Sequence, residues 1–513
     1  MKQHTLLKAT ASGLLMALLL QGCGGSGSSN AAASASTNQV ANGVVTGFGS
    51  VFVDGAEIED VNASIVTENA DGSFSNSVLQ MGQRIRVNHD GKGTASKVTV
   101  DAAVIGSVST IDTTALTLTV AGQRISINTD LATGPLTVWG GGYSSISDVV
   151  SSDLVEVHGS PVYDSATSSY KVVATRVQKM AAISGLKING KISNLDTTAK
   201  TFSLNGLTVS YASAALRPTG ATLANDLLVT AYGPTSALSG TTLTASNLKI
   251  NSLQDSTATD TTAQVGGQVS LFNSSANTFE VQGVKVAIGS STTITPSGAT
   301  VGNNAYVKVS GSVGSDGSIS ATNIQVREQN TSSDLAQVKL IGVISDFVDA
   351  TSFVVRGIPV DASGINATTS CPGVTLANDV PVQITATQQT NTPVVLASSM
   401  SCNSSTNTII RPADGVVSSV DSTVKTFVLT ASGHTPLNVQ WTDSTTTFVG
   451  VTAATLSTQQ VRVEGYMSGT TLMARVISVP GAGEGLDDDH FQRKASGDTS
   501  GAAWSNYRSS SHH

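Results

Sequence analysis

The residue types that most often carry out chemistry are sparse in this 513-residue sequence and lie far apart. His89, His158 and His434 stand alone, since none has a second histidine or a cysteine at metal-ligand spacing. The run from Asp487 to His490 is densely acidic, but it lacks the alternating spacing and central glycine of a calcium loop. Motifs of serine hydrolases, zinc proteases and nucleotide-binding proteins do not occur. The sequence therefore predicts no catalytic residues, no metal and no cofactor, hence a protein that is not an enzyme. A hydrolase with a non-local site is the weaker alternative.

One insertion carries aromatic residues that could bind a ligand. LATGPLTVWGGGYSSISD places Trp139 and Tyr143 around three glycines. An exposed aromatic ring on a loop could stack on a sugar or anchor a protein partner. The alternative is that Trp139 closes the end of its own domain or packs against the next one. We treat Trp139 and Tyr143 as a candidate ligand-binding loop.

Two of the three cysteines lie close enough in sequence to pair. Cys371 and Cys402 are 31 residues apart, and closing such a loop stabilises a protein by about 3–4 kcal/mol. A disulfide between them is predicted for an exported protein, and two free buried thiols are the alternative.

The N-terminus has the features of an export signal. Lys2 and Lys8 supply positive charge, and LLMALLL from Leu14 is too short to span a bilayer, which takes roughly 20 residues. LQGC, ending at Cys23, resembles the lipobox of bacterial lipoproteins, in which the cysteine is acylated and becomes the new N-terminus. We predict a lipoprotein signal peptide over 1–22 with lipidation at Cys23. An ordinary secretory signal with a chance cysteine is the alternative.

The segment after that cysteine and the overall charge indicate where the protein resides. GGSGSSNAAASASTN predicts a flexible tether over 23–40. Residue 24 is Gly and not the Asp that favours retention in the inner membrane. In this the sequence resembles a signal for sorting to the outer membrane, on its periplasmic or cell-surface side. The net charge of −8 argues against nucleic acid and against electrostatic membrane docking. The predicted partners are the membrane, through N-terminal acyl chains, and envelope proteins or glycans.

One phrase organises the rest of the chain: an alternating strand, a turn of Asp, Thr or Ser, and a second alternating strand. Its full statement is GKISNLDTTAKTFSLNGLTV, beginning at Gly190. It recurs from Gly106, Gly267 and Gly415, from Gly342 in a copy one residue shorter, and from Gly43 in a trimmed copy. Period-two alternation bounded by turn residues is typical of half-buried hairpin strands.

Repetition separates scaffold residues from candidate sites, because six identical catalytic centres would be unusual. The shared turn residues are predicted to form Asx turns: Asp112, Asp196, Asn273 and Asp421. A repeated serine is assigned to the scaffold for the same reason: Ser109, Ser193, Ser270, Ser345 and Ser418.

Each copy continues to a closing strand in which an alanine stands two or three places before an aliphatic residue. These alanines are Ala95, Ala174, Ala245, Ala321, Ala397 and Ala474. We predict six all-β modules, at 41–102, 103–181, 183–252, 264–328, 338–403 and 412–481, followed by a disordered tail over 482–513.

Several short strands leave exposed edges unless their sheet closes. A small antiparallel barrel, similar to the oligonucleotide/oligosaccharide-binding fold, is therefore predicted for each module, with a two-sheet sandwich as the alternative. A module of this size buries only a marginal core, so neighbours are expected to pack end to end as a rod.

The repeated phrase resembles the bacterial domain-of-unknown-function family 5666, tandem β-domains of exported proteins and lipoproteins. The resemblance covers residues 41–481 as six tandem copies and implies export, β-architecture and no catalytic residues to transfer. We therefore predict a non-enzymatic, lipid-anchored cell-envelope protein, a rod of repeated β-modules with a structural or binding role. A carbohydrate-binding or adhesion protein using the Trp139 loop is the alternative.

Overall fold

The fold is seen in a computed structural model. It describes residues 39–60, 62–69, 73–253, 262–327, 337–390, 392–402, 411–430 and 435–479. Cys23, the predicted signal peptide and the predicted tail lie outside the described residues. Within the described residues, no helix has the length and apolar character needed to cross a membrane.

Strands account for almost all of the regular structure in the first three modules. The first module contains β1 (Gln39–Phe48), β2 (Val51–Val53), β3 (Ala56–Ile58), β4 (Ser64–Glu68), β5 (Phe74–Asn76), β6 (Arg84–His89) and β7 (Ala95–Val100). The second contains β8 (Val104–Asp112), β9 (Thr117–Val120), β10 (Gln123–Ile127), β11 (Val138–Gly140), a 3₁₀ turn (Ile146–Asp148), β12 (Leu154–Asp164) and β13 (Ser169–Lys179). The third contains β14 (Leu186–Asp196), β15 (Thr201–Leu204), β16 (Leu207–Ser210), β17 (Ala215–Arg217), β18 (Leu228–Gly233), a 3₁₀ turn (Thr235–Ala237), β19 (Leu238–Ser239), β20 (Thr242–Thr244) and β21 (Asn247–Ile250).

The last three modules repeat this composition. The fourth contains β22 (Thr262–Asn273), β23 (Thr278–Val281), β24 (Val284–Thr295), β25 (Tyr306–Val313) and β26 (Ile319–Val326). The fifth contains β27 (Val338–Asp349), β28 (Ser352–Val355), β29 (Ile358–Asp361), the short helix α1 (Ala367–Ser370), β30 (Pro381–Gln388) and β31 (Val395–Ser401). The sixth contains β32 (Arg411–Asp421), β33 (Thr426–Thr430), β34 (Leu437–Gln440), β35 (Thr447–Val449), β36 (Gln460–Ser468) and β37 (Thr471–Ser478).

The strands of a module close into a ring. In the fourth module β22 pairs with β23, β23 with β24, β24 in parallel with β26, β26 with β25, and β25 again with β22. The second, fifth and sixth modules form the same ring of five strands. The first module closes through a single bridge between Glu59 and Thr94, and the last strand of the third is divided into β20 and β21. The all-β prediction is confirmed, and the barrel describes these modules better than the sandwich.

One backbone feature recurs in all six modules. The residue shortly before the fourth strand of each ring adopts a left-handed conformation, with φ between 65° and 81°: Gly82, Ser152, Asp226, Asn304, Asp379 and Thr458. Its N–H donates to the carbonyl two residues after the opening glycine of the phrase, at 2.8 to 3.1 Å in every copy. The geometry therefore repeats six times, including in the trimmed first copy.

The repeated polar residues have the scaffold roles predicted for them, except Ser270, whose buried hydroxyl has no hydrogen-bond partner among the described residues. The Asp196 carboxylate accepts hydrogen bonds from the N–H groups of Thr198 and Ala199 at 2.8 and 2.9 Å. Asp112, Asn273 and Asp421 accept the equivalent pairs. Four of the repeated serines donate to a carbonyl of the facing strand: Ser109, Ser193, Ser345 and Ser418. The Asx-turn prediction is confirmed.

The prediction that modules pack end to end as a rod is wrong. The long strand β1 pairs in parallel with β22 of the fourth module and with β27 of the fifth. The buried apolar side chains of the first and fifth modules form one cluster, and those of the second and third form another. The cause is that β1 extends along neighbouring barrels, where its backbone groups find partners far away in sequence.

Candidate functional site

In the first five modules the second and third strands of the barrel meet in a two-residue turn in which both residues have positive φ. The second residue is glycine in every case, whereas the first varies. We call these pairs the variable turns: Asp54–Gly55, Ala121–Gly122, Asn205–Gly206, Gln282–Gly283 and Arg356–Gly357. Positive φ at both positions is the geometry of a type I′ hairpin turn, for which glycine is the natural second residue. Because the glycine is constant and the residue before it varies, the same backbone turn presents different side chains in different modules.

In the first five modules the opening glycine of the phrase packs against the variable turn of the same module. A Cβ atom on Gly43 would lie 2.1 Å from Oδ2 of Asp54, and one on Gly106 would lie 2.6 Å from Cβ of Ala121. The corresponding approaches are 3.1 Å to Asn205 in the third module and 3.0 Å to Arg356 in the fifth. Close packing against the variable turn therefore explains why the phrase opens with glycine.

Asp54, in the variable turn of the first module, contacts the fourth module. Its carboxylate accepts a hydrogen bond from the Tyr306 hydroxyl at 2.6 Å. The side chain also lies against Gly266, where a Cβ would be 1.8 Å from Oδ2 of Asp54. Lys308 donates to the main-chain oxygen of Asp54 at 3.3 Å. This turn therefore forms a fully buried polar contact between two modules.

The other variable turns also contact a neighbouring module. The Asn205 amide of the third module donates to Gln123 of the second at 2.7 Å. In the fifth module, Arg356 lies 3.3 Å from the Glu464 carboxylate of the sixth and 5.8 Å from the Phe48 ring centre of the first. Gly122 and Gly283 approach leucines of the third module, Leu207 and Leu228 respectively. The variable turns thus lie at the junctions between barrels.

A second variable position follows the repeated alanine of the closing strand, where a β-bulge lies. We call it the bulge residue. In four modules its hydroxyl donates to a carbonyl of its own barrel at 3.0 to 3.2 Å: Ser96, Ser246, Thr322 and Ser398. Because bulges redirect side chains, this position can also reach outward.

In the second and sixth modules the bulge residue reaches the first module instead. Thr175 donates to the Gly82 carbonyl at 2.6 Å. Arg475 donates to the Asp60 carbonyl at 2.7 Å and lies 2.6 Å from its carboxylate. A Cβ on Gly82 would lie 2.5 Å from the main-chain carbonyl oxygen of Thr175, which explains glycine there when the other five modules have larger residues.

The first and third modules meet through two charged groups of residues. Asp101 binds Lys187 at 2.8 Å and also pairs with Arg84, while Glu68 binds Arg217 at 3.0 Å and also pairs with Lys249. Burial acts to raise the pKa of Asp101, but the neighbouring Arg84, Lys187 and Lys249 cations hold it well below the usual range. The first module therefore makes side-chain or strand contacts with each of the other five.

The predicted aromatic loop is fixed on its own barrel. Trp139 lies in β11, which pairs in parallel with β13, and its half-buried ring packs edge-on against Tyr143 with centroids 6.3 Å apart. Tyr143 is 7% exposed, and its hydroxyl donates to Asp153 at 2.5 Å. Burial raises the pKa of Tyr143, and the Asp153 carboxylate adds to the effect. Of the two aromatic rings, only that of Trp139 is therefore partly accessible to a ligand.

The predicted cysteine pair forms a disulfide, which is confirmed between Cys371 and Cys402. Cys371 also lines an open groove of about 660 Å³ beside the shortened phrase of the fifth module. Val348 and Val374 are exposed at its edge, and Phe347 and Leu376 lie within it. Sequence reasoning missed this groove. Its one signal was the shortened phrase, which places Val348 where other copies have a turn residue.

Of the candidate histidines, His89 lies on β6 of the first module and His158 on β12 of the second. His158 is fully buried on β12, and its Nε2 lies 2.7 Å from the Glu156 carboxylate. Burial lowers the pKa of His158, while Glu156 opposes that shift. His434 lies outside the described residues, and within them no three His, Cys, Asp or Glu side chains form a metal-sized group.

Comparison with known proteins reaches one module. Residues 266–325 match the model of a family described as a domain of unknown function (DUF5666). No curated protein matches the chain. The matched residues begin at Gly266, which packs against Asp54, and extend into the last strand of the fourth barrel. The barrel that contacts the first variable turn is therefore similar to that domain family.

Proposed function

We propose that this chain is a non-enzymatic, lipid-anchored protein of the bacterial cell envelope, with a structural or binding role, in which the β-modules assemble around the first one. The observation that carries the proposal is the use of the variable positions. Asp54, Asn205, Arg356, Thr175 and Arg475 all contact another module. Side chains that differ between copies are thus engaged in assembly, which supports a structural role.

The proposed attachment is through Cys23, acylated after removal of residues 1–22, and the proposed location is the outer membrane. Envelope proteins or glycans are the proposed partners, without nucleic acid, because the chain carries a net charge of −8. A tether of glycine, serine and alanine would hold the assembled modules away from the lipid surface.

The anchor is tested by metabolic labelling with a palmitate analogue, followed by separation of membrane and soluble fractions. The native chain is expected to take up label and sediment with the outer membrane, while Cys23→Ala should do neither. Ser26→Ala is the matched control, since it changes a residue close to Cys23 and leaves both the lipobox and the disulfide intact. Equal membrane association of the native and Cys23→Ala chains would refute the proposal. Protease added to intact cells then distinguishes surface display from a periplasmic position.

A further inference from the structure

The Asp54 carboxyl group is enclosed at the junction of the first and fourth modules. It is 1% exposed and accepts hydrogen bonds from the Tyr306 hydroxyl at 2.6 Å and, more weakly, from the Val44 N–H at 3.4 Å. It lies between Gly43 and Gly266, which are both too close to it to carry a side chain. Beside it, residues 40–42 of β1 pair in parallel with residues 263–265 of β22. Any separation of these two barrels must expose this carboxyl group.

The charged groups facing Asp54 do not form an ion pair with its carboxylate within the described residues. Lys308 on β25 bonds to the main-chain oxygen of Asp54, at 3.3 Å. Arg327, after β26, lies with its Cζ 5.8 Å from the centre of the Tyr306 ring, and Asp130 of the second module acts on Arg327 in turn. The elements closest to the carboxyl group, β1 and the start of β22, present glycine and backbone. An ionised Asp54 is therefore buried with two hydrogen-bond donors, and no described cation lies within ion-pair distance of its carboxylate.

We infer that this junction is a proton-operated latch, in which protonation of Asp54 holds the first and fourth barrels together and ionisation loosens them. Acidification of the medium surrounding the protein would tighten the assembly at this point.

The direction follows from the two states of the carboxyl group. Burial raises the pKa of Asp54 to about 6 in the closed junction, from an ordinary value of 3.8, despite the opposing effects of Tyr306 and Lys308. The closed junction therefore binds the proton more tightly than the open junction does. The free energy by which protonation favours the closed junction is lost as the pH rises through about 6. Between pH 4.5 and 7.5 the equilibrium constant for separation of the first and fourth barrels is expected to rise about 25-fold. Tyr306 stays protonated throughout, because burial and Asp54 raise its own pKa well above 10.0.

Hydrogen exchange of the full chain tests the latch. Protection factors of the amides at residues 40–42 and 263–265, corrected for intrinsic exchange rates, are compared at pH 4.5, 6 and 7.5. The amides of β36 and β37 serve as the internal reference. We expect protection at the junction to fall about 25-fold relative to the reference as the pH rises through this range. A ratio that does not change with pH would overturn the inference.

Two variants assign the effect to Asp54. Asp54→Asn keeps the size of the side chain and tolerates positive φ, so junction protection should become independent of pH. Tyr306→Phe removes the stronger hydrogen-bond donor to the carboxylate, so the pH of half-change should move upward. Asp196→Asn is the control, because the equivalent turn of the fourth module already uses Asn273, and it should behave as the native chain. If Asp54→Asn retains the native pH dependence, or Tyr306→Phe moves it to lower pH, Asp54 is not the latch.

Discussion

Arg475 of the sixth module and Asp60 of the first are joined by two contacts, one to the Asp60 carbonyl and one to its carboxylate, at 2.7 and 2.6 Å. The residues are 415 positions apart in sequence, and both side chains are almost fully buried. The same bulge position in the fourth module holds Thr322, which bonds only to its own barrel. The same position of the repeat therefore bonds within its own barrel in the fourth module and to a different barrel in the sixth.

Replacing Arg475 should be more costly than replacing the equivalent residue elsewhere. Arg475→Met leaves the buried Asp60 carboxylate without its cation, and breaking a buried pair from one side typically costs about 3–5 kcal/mol. Thr322→Ala loses one exposed hydrogen bond, at about 1 kcal/mol. Urea unfolding of the full chain followed by far-UV circular dichroism measures both losses, since strands make up nearly all of the regular structure in the fourth and sixth barrels. Equal losses for the two variants would contradict the assigned role.

A methyl group added beneath a variable turn should be poorly tolerated. In Gly43→Ala the new Cβ would lie 2.1 Å from the Asp54 carboxylate. Overpacking of this kind typically costs about 1–3 kcal/mol of stability. Gly289→Ala is the matched control within a strand, because its nearest neighbour would be 3.8 Å away. Thermal unfolding should show a clear drop in midpoint for Gly43→Ala alone. A comparable drop for Gly289→Ala would indicate a general intolerance of strand glycines to substitution.

Loss of the disulfide should destabilise the fifth module. Cys371 and Cys402 close a loop with a sequence separation of 31, and the chain-entropy model gives about 3–4 kcal/mol for such a crosslink. Cys371→Ser combined with Cys402→Ser should lower the unfolding midpoint by the same amount as chemical reduction of the native chain. The Cys23→Ala chain controls for thiol effects at the N-terminus. Unchanged stability after complete reduction would show that packing alone holds this loop.

The junction of the first and third modules should respond to acid in the opposite sense to Asp54. Arg84, Lys187 and Lys249 overcome the effect of burial and hold the pKa of Asp101 well below 3.8. A depressed pKa contributes stability above the unfolded value that is lost as the pH falls through the folded value. Unfolding midpoints measured from pH 7 downward should therefore decline below about pH 4, and Asp101→Asn should be less stable at pH 7 with a shallower decline. A steeper decline in Asp101→Asn would contradict this assignment.

The repeated part of the fold could be predicted from sequence because its causes are local. Asp196 bonds to the N–H groups two and three residues later, and Gly206 lies in a turn that needs positive φ. The pairing of Cys371 with Cys402 followed from the export signal and a short loop. Such features depend on spacing within one copy of the phrase, which the sequence states directly.

The junctions could not be predicted, since they depend on where whole barrels lie. Asp54 and Tyr306 are 252 positions apart, and nothing in the sequence around either residue links it to the other. One signal was present: the residue before each turn glycine varies in charge and size while the glycine does not. Gly82 was a second signal, because the other copies use Ser, Asp, Asn or Thr at that position. The rod was predicted wrongly because nearest-neighbour packing is the default for repeats, whereas the pairing of β1 with β22 and β27 is specific to this chain.

The central position of the first module has a consequence in time. The first module precedes the other five along the chain, so it is the first of the six able to fold, at the ribosome or after export. Its partners for β1 and Asp60 lie in the fourth, fifth and sixth modules and are made last. Until they arrive, the strand edge of β1 and the Asp54 and Asp60 carboxylates remain open to water. The first barrel therefore remains incompletely covered until the fourth, fifth and sixth modules have followed it. Its contacts are complete only when the sixth module has packed against it.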